Sequence, residues 1–289
     1  MLRVIVSPAK KMLAGVESSF PLTVPALAGR TRELLDGLLG MTAAELQALW
    51  RVSDRLLGPC LDDLARLRET GVPSCADDLA RPPLVASLSP AVLAYSGIQY
   101  QAMAPAVMDE RSLAWLADHL RIMSGFHGCL RPFDAVAPYR LEMGARLPAG
   151  SCWPGGARDL YGFWGDAIAR EVCAGEAPCD AGGAAAAVAA GPVHVVNLAS
   201  VEYAKATLPR LSPDVPITTC IFGEELRAGR PVQRSTASKA ARGSMVRWMA
   251  ERGASDAAEL EAFDVGYRLA PELCHEDGPR RTLVFMRAS

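Results

Sequence analysis

The chain begins with a short β-branched run, Leu2-Arg3-Val4-Ile5-Val6, that stops at Ser7-Pro8, a pattern that predicts a buried strand feeding a loop. From 43 to 58 apolar side chains recur at helical spacing (Leu46, Leu49, Trp50, Leu56, Leu57), and Thr42-Ala43-Ala44-Glu45 supplies a capping box at the start. A second helix is expected from about 60 to 70. Past Pro82-Pro83, Ala91-Val92-Leu93-Ala94-Tyr95 reads as another buried strand, ended by Ser96-Gly97. Leu113, Leu116, Leu120 and Met123 fall on one face of a helix over 112–123, which Gly125 and Gly128 terminate.

In the second half, Leu160, Tyr161, Trp164 and Ile168 suit a helix that buries aromatic rings. Residues 174–191 are rich in alanine and glycine with no periodic pattern, as expected of a surface loop. Strands are predicted at 193–198 and 282–286, and a helix at 236–252 with Ala241, Met245, Trp248 and Met249 facing inward. Strands and helices interleave without a linker or repeat, which predicts a mixed α/β fold, one domain over 1–289 with a central sheet flanked by helices. Three loops, after 2–6, 91–95 and 193–198, follow a strand's carboxyl end, the edge at which open α/β sheets bind ligands.

Composition narrows the class. With 289 residues, half of them hydrophobic, and a formal charge of -2, the chain has the core of a globular protein and lacks the charge of a polybasic DNA binder. Its eight cysteines form no C-x-x-C pair, so neither a zinc framework nor a disulfide scaffold is indicated, and Cys274-His275-Glu276-Asp277 has no partner at metal-binding spacing. No metal or cofactor is expected. The apolar start is too short for a signal segment and no apolar run reaches membrane-spanning length, so a cytoplasmic protein without membrane partners is expected; the oligomeric state is left open.

Of 30 lysines and arginines only four are lysine: Lys10, Lys11, Lys205 and Lys239. Arginine supplies charge elsewhere, so these positions point to a compact ammonium contact, a proton-transfer amine or a Schiff base; chance placement is the plain alternative. Lys10 with Ser7 could hold a phosphate or act as a nucleophile, and Lys205, Lys239 and His127 complete the catalytic candidates. Arg131, Arg140 and Glu142 suit an anion clamp oriented by a carboxylate, or a structural ion-pair network. Tyr139 could stack on a base or be buried, while Asn197, Ser200 and Glu202 stand where a helix N-terminus favours an anion, or where Ser200 merely caps. The amides of Gly125 and Gly128 could meet a phosphate, in a hairpin made by helix 112–123 and the segment after the turn. From Arg227 to Arg247 lie six basic residues (Arg227, Arg230, Arg234, Lys239, Arg242, Arg247) and no acid, a stretch suited to phosphate in a duplex or in one nucleotide.

The segments SPAKKM at the N-terminus, WRVSDRL at 50–56, LRIMSGFHGCLRPFD at 120–134, APYRLEMGARL at 137–147, DLYGFWGD at 159–166, VVNLASVEYAK at 195–205, KAARGSMVRW at 239–248 and the closing LVFMR together resemble the YaaA family of peroxide-stress proteins. The resemblance runs in order along nearly the whole chain. It implies a single α/β domain of unusual topology, a positively lined cleft, double-stranded DNA as partner through a helix-hairpin-helix-like element, and a role in limiting iron-dependent oxidative damage. The chain departs from the family pattern at three places beside the expected cleft. Tyr95-Ser96-Gly97-Ile98-Gln99-Tyr100 stands where the family has a Phe-x-Gly-Asp-Val-Tyr run, His127 replaces a tyrosine, and Ser235-Thr236-Ala237-Ser238 replaces an aromatic stretch. Ser96, Gly97 and Tyr100 thus join Arg242 among the expected ligand contacts. These changes favour a competing reading, an enzyme acting on a nucleotide, nucleobase or other anionic small molecule.

Overall fold

The computed structural model describes residues 1–148, 150–174 and 193–288. The expected loop at 174–191 therefore lies outside the described residues, apart from Ala174. The main sheet uses β1 (Leu2–Val6), β2 (Leu120–Ser124), β3 (Gly128–Leu130), β4 (His194–Leu198), β5 (Ile217–Gly223), β6 (Tyr267–Leu269), β7 (His275–Asp277) and β8 (Arg280–Arg287). Its order is β6-β8-β5-β4-β1-β2-β3, with β7 also paired to β8. The five central strands are parallel and the outer pairings β2–β3, β6–β8 and β7–β8 are antiparallel. All five residues of β1 are buried, as a central parallel strand covered on both faces requires. Helices α1 (Ala28–Leu39), α2 (Ala43–Trp50), α3 (Asp54–Thr70), α4 (Ile98–Met103), α5 (Glu110–His119), α6 (Leu160–Trp164), α7 (Ala167–Cys173), α8 (Val201–Thr207) and α9 (Ser235–Arg252) surround it. The mixed α/β fold with a central sheet is as expected. No helix among the described residues is long and apolar enough to cross a membrane.

Several elements differ from the sequence pattern for identifiable reasons. The capping box at Thr42 is present, with the Glu45 amide donating to Thr42 Oγ1 at 3.3 Å and the Thr42 amide to Glu45 Oε2 at 2.8 Å. The helix it starts nevertheless ends at Trp50, because Arg51 takes a left-handed conformation (φ 51°) and Ser53 is the extended N-cap of α3. Gly165, at φ 49°, likewise divides the expected aromatic helix into α6 and α7.

The strand expected at 91–95 is a single helical turn, Ala91–Ala94, whose first amides donate to the carbonyls of Asp134 and Pro132. Only Tyr95 and Ser96 pair, antiparallel with Met12 and Lys11, outside the main sheet. Helix 112–123 stops at His119, and Leu120–Ser124 becomes β2, fully buried beside β1. A four-residue apolar set fits a buried strand and a helix face alike. With β3 following the turn, residues 112–130 build helix, strand, turn and strand; the hairpin expected between helix 112–123 and the segment after the turn is formed here by two strands.

Candidate functional site

The carboxyl ends of β1 and β4 lie side by side, Val6 in register with Leu198, and so bring Ser7 to Ser200 at the N-terminus of α8. The Ser200 amide donates to Ser7 Oγ at 2.8 Å, and the two hydroxyls lie 3.2 Å apart. The Ser7 carbonyl accepts from Gln99 Nε2 at 3.2 Å and from the Tyr100 hydroxyl at 3.0 Å. Residues 96–100 are thus tied to the loop after β1, and Gly97 packs where a side chain would press on the Ala9 methyl. Helix α9 closes against α4 at Gly243, which leaves no room for a Cβ, and this contact carries Lys239 and Arg242 to the same opening.

The fourth wall is Tyr139–Glu142. It is set by Gly125, which abuts the Leu141 carbonyl and the backbone of Glu142 and Met143 closely enough to exclude a side chain. Glu142 Oε1 lies 2.7 Å from Lys10 Nζ and 3.0 Å from Arg140 Nη2, so one carboxylate bridges two cations. Burial pushes the Tyr139 phenol up to about 12, and its hydroxyl is 2.6 Å from both Tyr95 Oη and Ser124 Oγ. Its ring packs on Phe126 and His127. These walls enclose a cavity of about 560 Å³ lined by Ser7, Lys10, Lys11, Ser96, Gly97, Tyr100, Tyr139, Arg140, Glu142, Ser200, Glu202, Lys239 and Arg242. That volume falls within the range of small-molecule sites.

Glu202 faces this cavity but spends Oε1 on the Gly144 amide at 2.8 Å, a strap on the wall. Burial lowers the Arg242 pKa, and its Nε is buried without an acceptor. Among the described residues neither Arg242 nor Lys239 has an ion-pair partner.

Other candidates lie elsewhere. Lys205 is exposed with its ammonium 4.8 Å from the Tyr161 ring centre. His127 is buried, burial lowers its pKa to about 3, and its ring Nδ1 lies 3.5 Å from Thr31 Oγ1. Gly125 and Gly128 sit in the core: the Ser124 hydroxyl accepts the amides of Phe126 and His127, and a Cβ on Gly128 would strike Leu27 and Trp164. Gly125 thus shapes the wall, and neither glycine lines the cavity. Arg131 pairs with Glu171 at 3.4 Å, leaving Arg140 and Glu142 to form a three-residue cluster with Lys10 instead. Asn197 is buried, accepting from the Ala199 amide and donating to Thr219 Oγ1. Lys11, Ile98, Gln99, Tyr203 and Ser235 line the cavity although none was a candidate contact; Lys11 stood in the lysine census, and Ile98, Gln99 and Ser235 in segments that depart from the family pattern.

The basic stretch also divides. Lys239 and Arg242 face the cavity, Arg227 and Arg234 both pair with Glu225, and Arg247 pairs with Glu251 at 2.7 Å.

Residues 2–273 match the family model described as peroxide stress protein YaaA. The chain belongs to the YaaA family. It is 37% identical over 263 residues to a UPF0246 protein of Lactiplantibacillus plantarum, covering 91% of both chains. It is 33% identical to one of Desulfitobacterium hafniense, across 99% of this chain and 98% of that one. A UPF0246 protein of Limosilactobacillus fermentum is 38% identical over 95% of this chain and 97% of its own. Membership in this family points to a peroxide-stress-related protein.

Proposed function

We propose that the chain serves the peroxide-stress setting of its family by binding a small anionic molecule, nucleotide-like in size and charge, in the cavity at the ends of β1 and β4. The observation that carries this reading is the convergence of Lys10, Lys11, Arg140, Lys239 and Arg242 on one cavity of about 560 Å³ whose acids among the described residues are Glu142 and Glu202. Cations in a concave site attract and orient anions more strongly than the same charges on an open surface. Lys10 and Glu142 then form the pair placed to exchange a proton with a bound molecule, which is how the site would support an enzyme.

Duplex DNA is a second reading, favoured by the exposed β-hairpin Glu225–Arg227 and Arg230–Val232, which carries Arg227 and Arg230 at the surface. Thermal-shift measurements with nucleotides, amino acids and a short duplex separate the two. A nucleotide should raise the melting temperature, and Lys10→Ala with Lys239→Ala should abolish the shift. A duplex-only shift that falls steeply with salt and disappears in Arg227→Glu with Arg230→Glu would replace the cavity reading with the DNA one.

A further inference from the structure

The two sides of the cavity differ in how their charge is already used. On one side Glu142 Oε1 is shared between Lys10 and Arg140, and Oε2 has no protein hydrogen bond among the described residues. On the other, Lys239 and Arg242 stand one helical turn apart on α9, and neither has an acceptor among the described residues. Arginine offers five N–H donors and lysine three, and a guanidinium drawn into a wall with its Nε buried and unsatisfied is costly unless something accepts from it. Among the described residues none in the wall does, and an anion would; Arg140 also has a buried Nε without an acceptor, but its Nη2 is paired with Glu142, whereas Arg242 has no pair.

Resting on the small-anion reading above, we infer that the cavity takes a hydroxylated phosphate monoester, with its phosphate oxygens on Lys239 and Arg242 and a hydroxyl or amine donating to Glu142 Oε2. Charge selects the phosphate: two unpaired cations face it, and a phosphate monoester carries nearly two negative charges near neutral pH, where a carboxylate carries one. Geometry adds to this. Terminal phosphate oxygens accept from the planar guanidinium fork and the point-like ammonium together. At the far end a ligand hydroxyl meets a carboxylate oxygen that Lys10 and Arg140 hold in place without occupying. Pro8, Ile98 and Leu141 add apolar surface to the lining, which suits the body of a sugar or nucleoside.

Isothermal titration at fixed ionic strength tests this with inorganic phosphate, ribose 5-phosphate, adenosine monophosphate, adenosine and a dicarboxylate, with folding followed by circular dichroism. The two esters should bind, compete with inorganic phosphate and exceed adenosine in affinity. Which ester binds more tightly distinguishes a sugar phosphate from a nucleotide. Arg242→Gln and Lys239→Met should each weaken inorganic phosphate and esters about tenfold or more, as expected for loss of a charge-assisted contact. Lys239 is exposed and has no acceptor among the described residues, so its variant keeps the test valid if Arg242→Gln fails to fold. Glu142→Gln should leave inorganic phosphate affinity intact or raised while reducing the advantage of the esters. Esters that bind no better than adenosine, or unchanged phosphate affinity in Lys239→Met, would overturn the inference. Binding of the dicarboxylate alone would overturn it while sparing the small-anion reading; no binding by any of these anions would remove both.

Discussion

Gly243 lies so close to Gln99 that a Cβ built on it would stand 2.0 Å from the Gln99 carbonyl oxygen. Both partners are backbone, so no side-chain rotation relieves the clash. Gly243→Ala should push α9 away from α4 and cost about 3 kcal/mol, at the upper end for an overpacked core. Urea unfolding measures it. Because Arg242 moves with the helix, a folded variant should also lose anion affinity; unchanged stability would show that α9 does not depend on this approach.

The second expectation concerns pH. His127 takes up a proton at about 3 in the folded protein, because burial disfavours the charged ring, against an ordinary value of 6.5. Its contribution to stability is complete above the ordinary value and is lost progressively as pH falls toward the folded one, where the unfolded chain alone binds the proton. Between pH 7 and pH 5 that loss is about 2 kcal/mol. Asp134, raised to about 7 by burial, acts with the opposite sign over part of the same window, so the native slope alone is not diagnostic. The comparison of urea midpoints at the two pH values should instead show His127→Phe gaining about 2 kcal/mol relative to the parent at the lower pH. Parallel slopes would mean that His127 titrates normally.

Ser7→Ala removes the acceptor of the Ser200 amide and should cost about 1–3 kcal/mol, the penalty for stranding a partly buried donor. Ser200→Ala keeps its amide and loses only the hydroxyl contact, so it should cost clearly less. Equal losses in thermal unfolding would place the weight on the hydroxyl pair instead.

Lys205→Ala should leave ligand affinity within about twofold and cost about 0.5 kcal/mol, the worth of an exposed cation over an aromatic ring. Titration of the ligands used for Lys239→Met gives the direct comparison. A tenfold loss of affinity would bring Lys205 back into the site.

What the sequence revealed follows from which physical signals are local. β1 was legible because Leu2, Val4, Ile5 and Val6 form an apolar run that ends at Ser7-Pro8, and α9 because Ala241, Met245, Trp248 and Met249 keep helical spacing. The boundary at Arg51 was not, since a left-handed arginine leaves no compositional mark. β2 was hidden because Leu120 and Met123 suit a helix face, and only its place beside β1 makes it a strand. In the site, lysine scarcity located Lys10 and Lys239, yet misplaced Lys205, whose helix turns it toward Tyr161. Gln99 and the wall-setting role of Gly125 depend on contacts far away in sequence.

The Ser7 residue accepts from Ser200 through its hydroxyl and from Gln99 and Tyr100 through its carbonyl, so three separate segments meet at one amino acid. Such a floor is tied together by its own hydrogen bonds, without a ligand's help. A ligand entering it need not wait for a lid or a refolded loop, and little ordering entropy is charged to the encounter. Stopped-flow binding should accordingly show a single phase whose rate rises linearly with ligand concentration, without the plateau that a slow closure would impose.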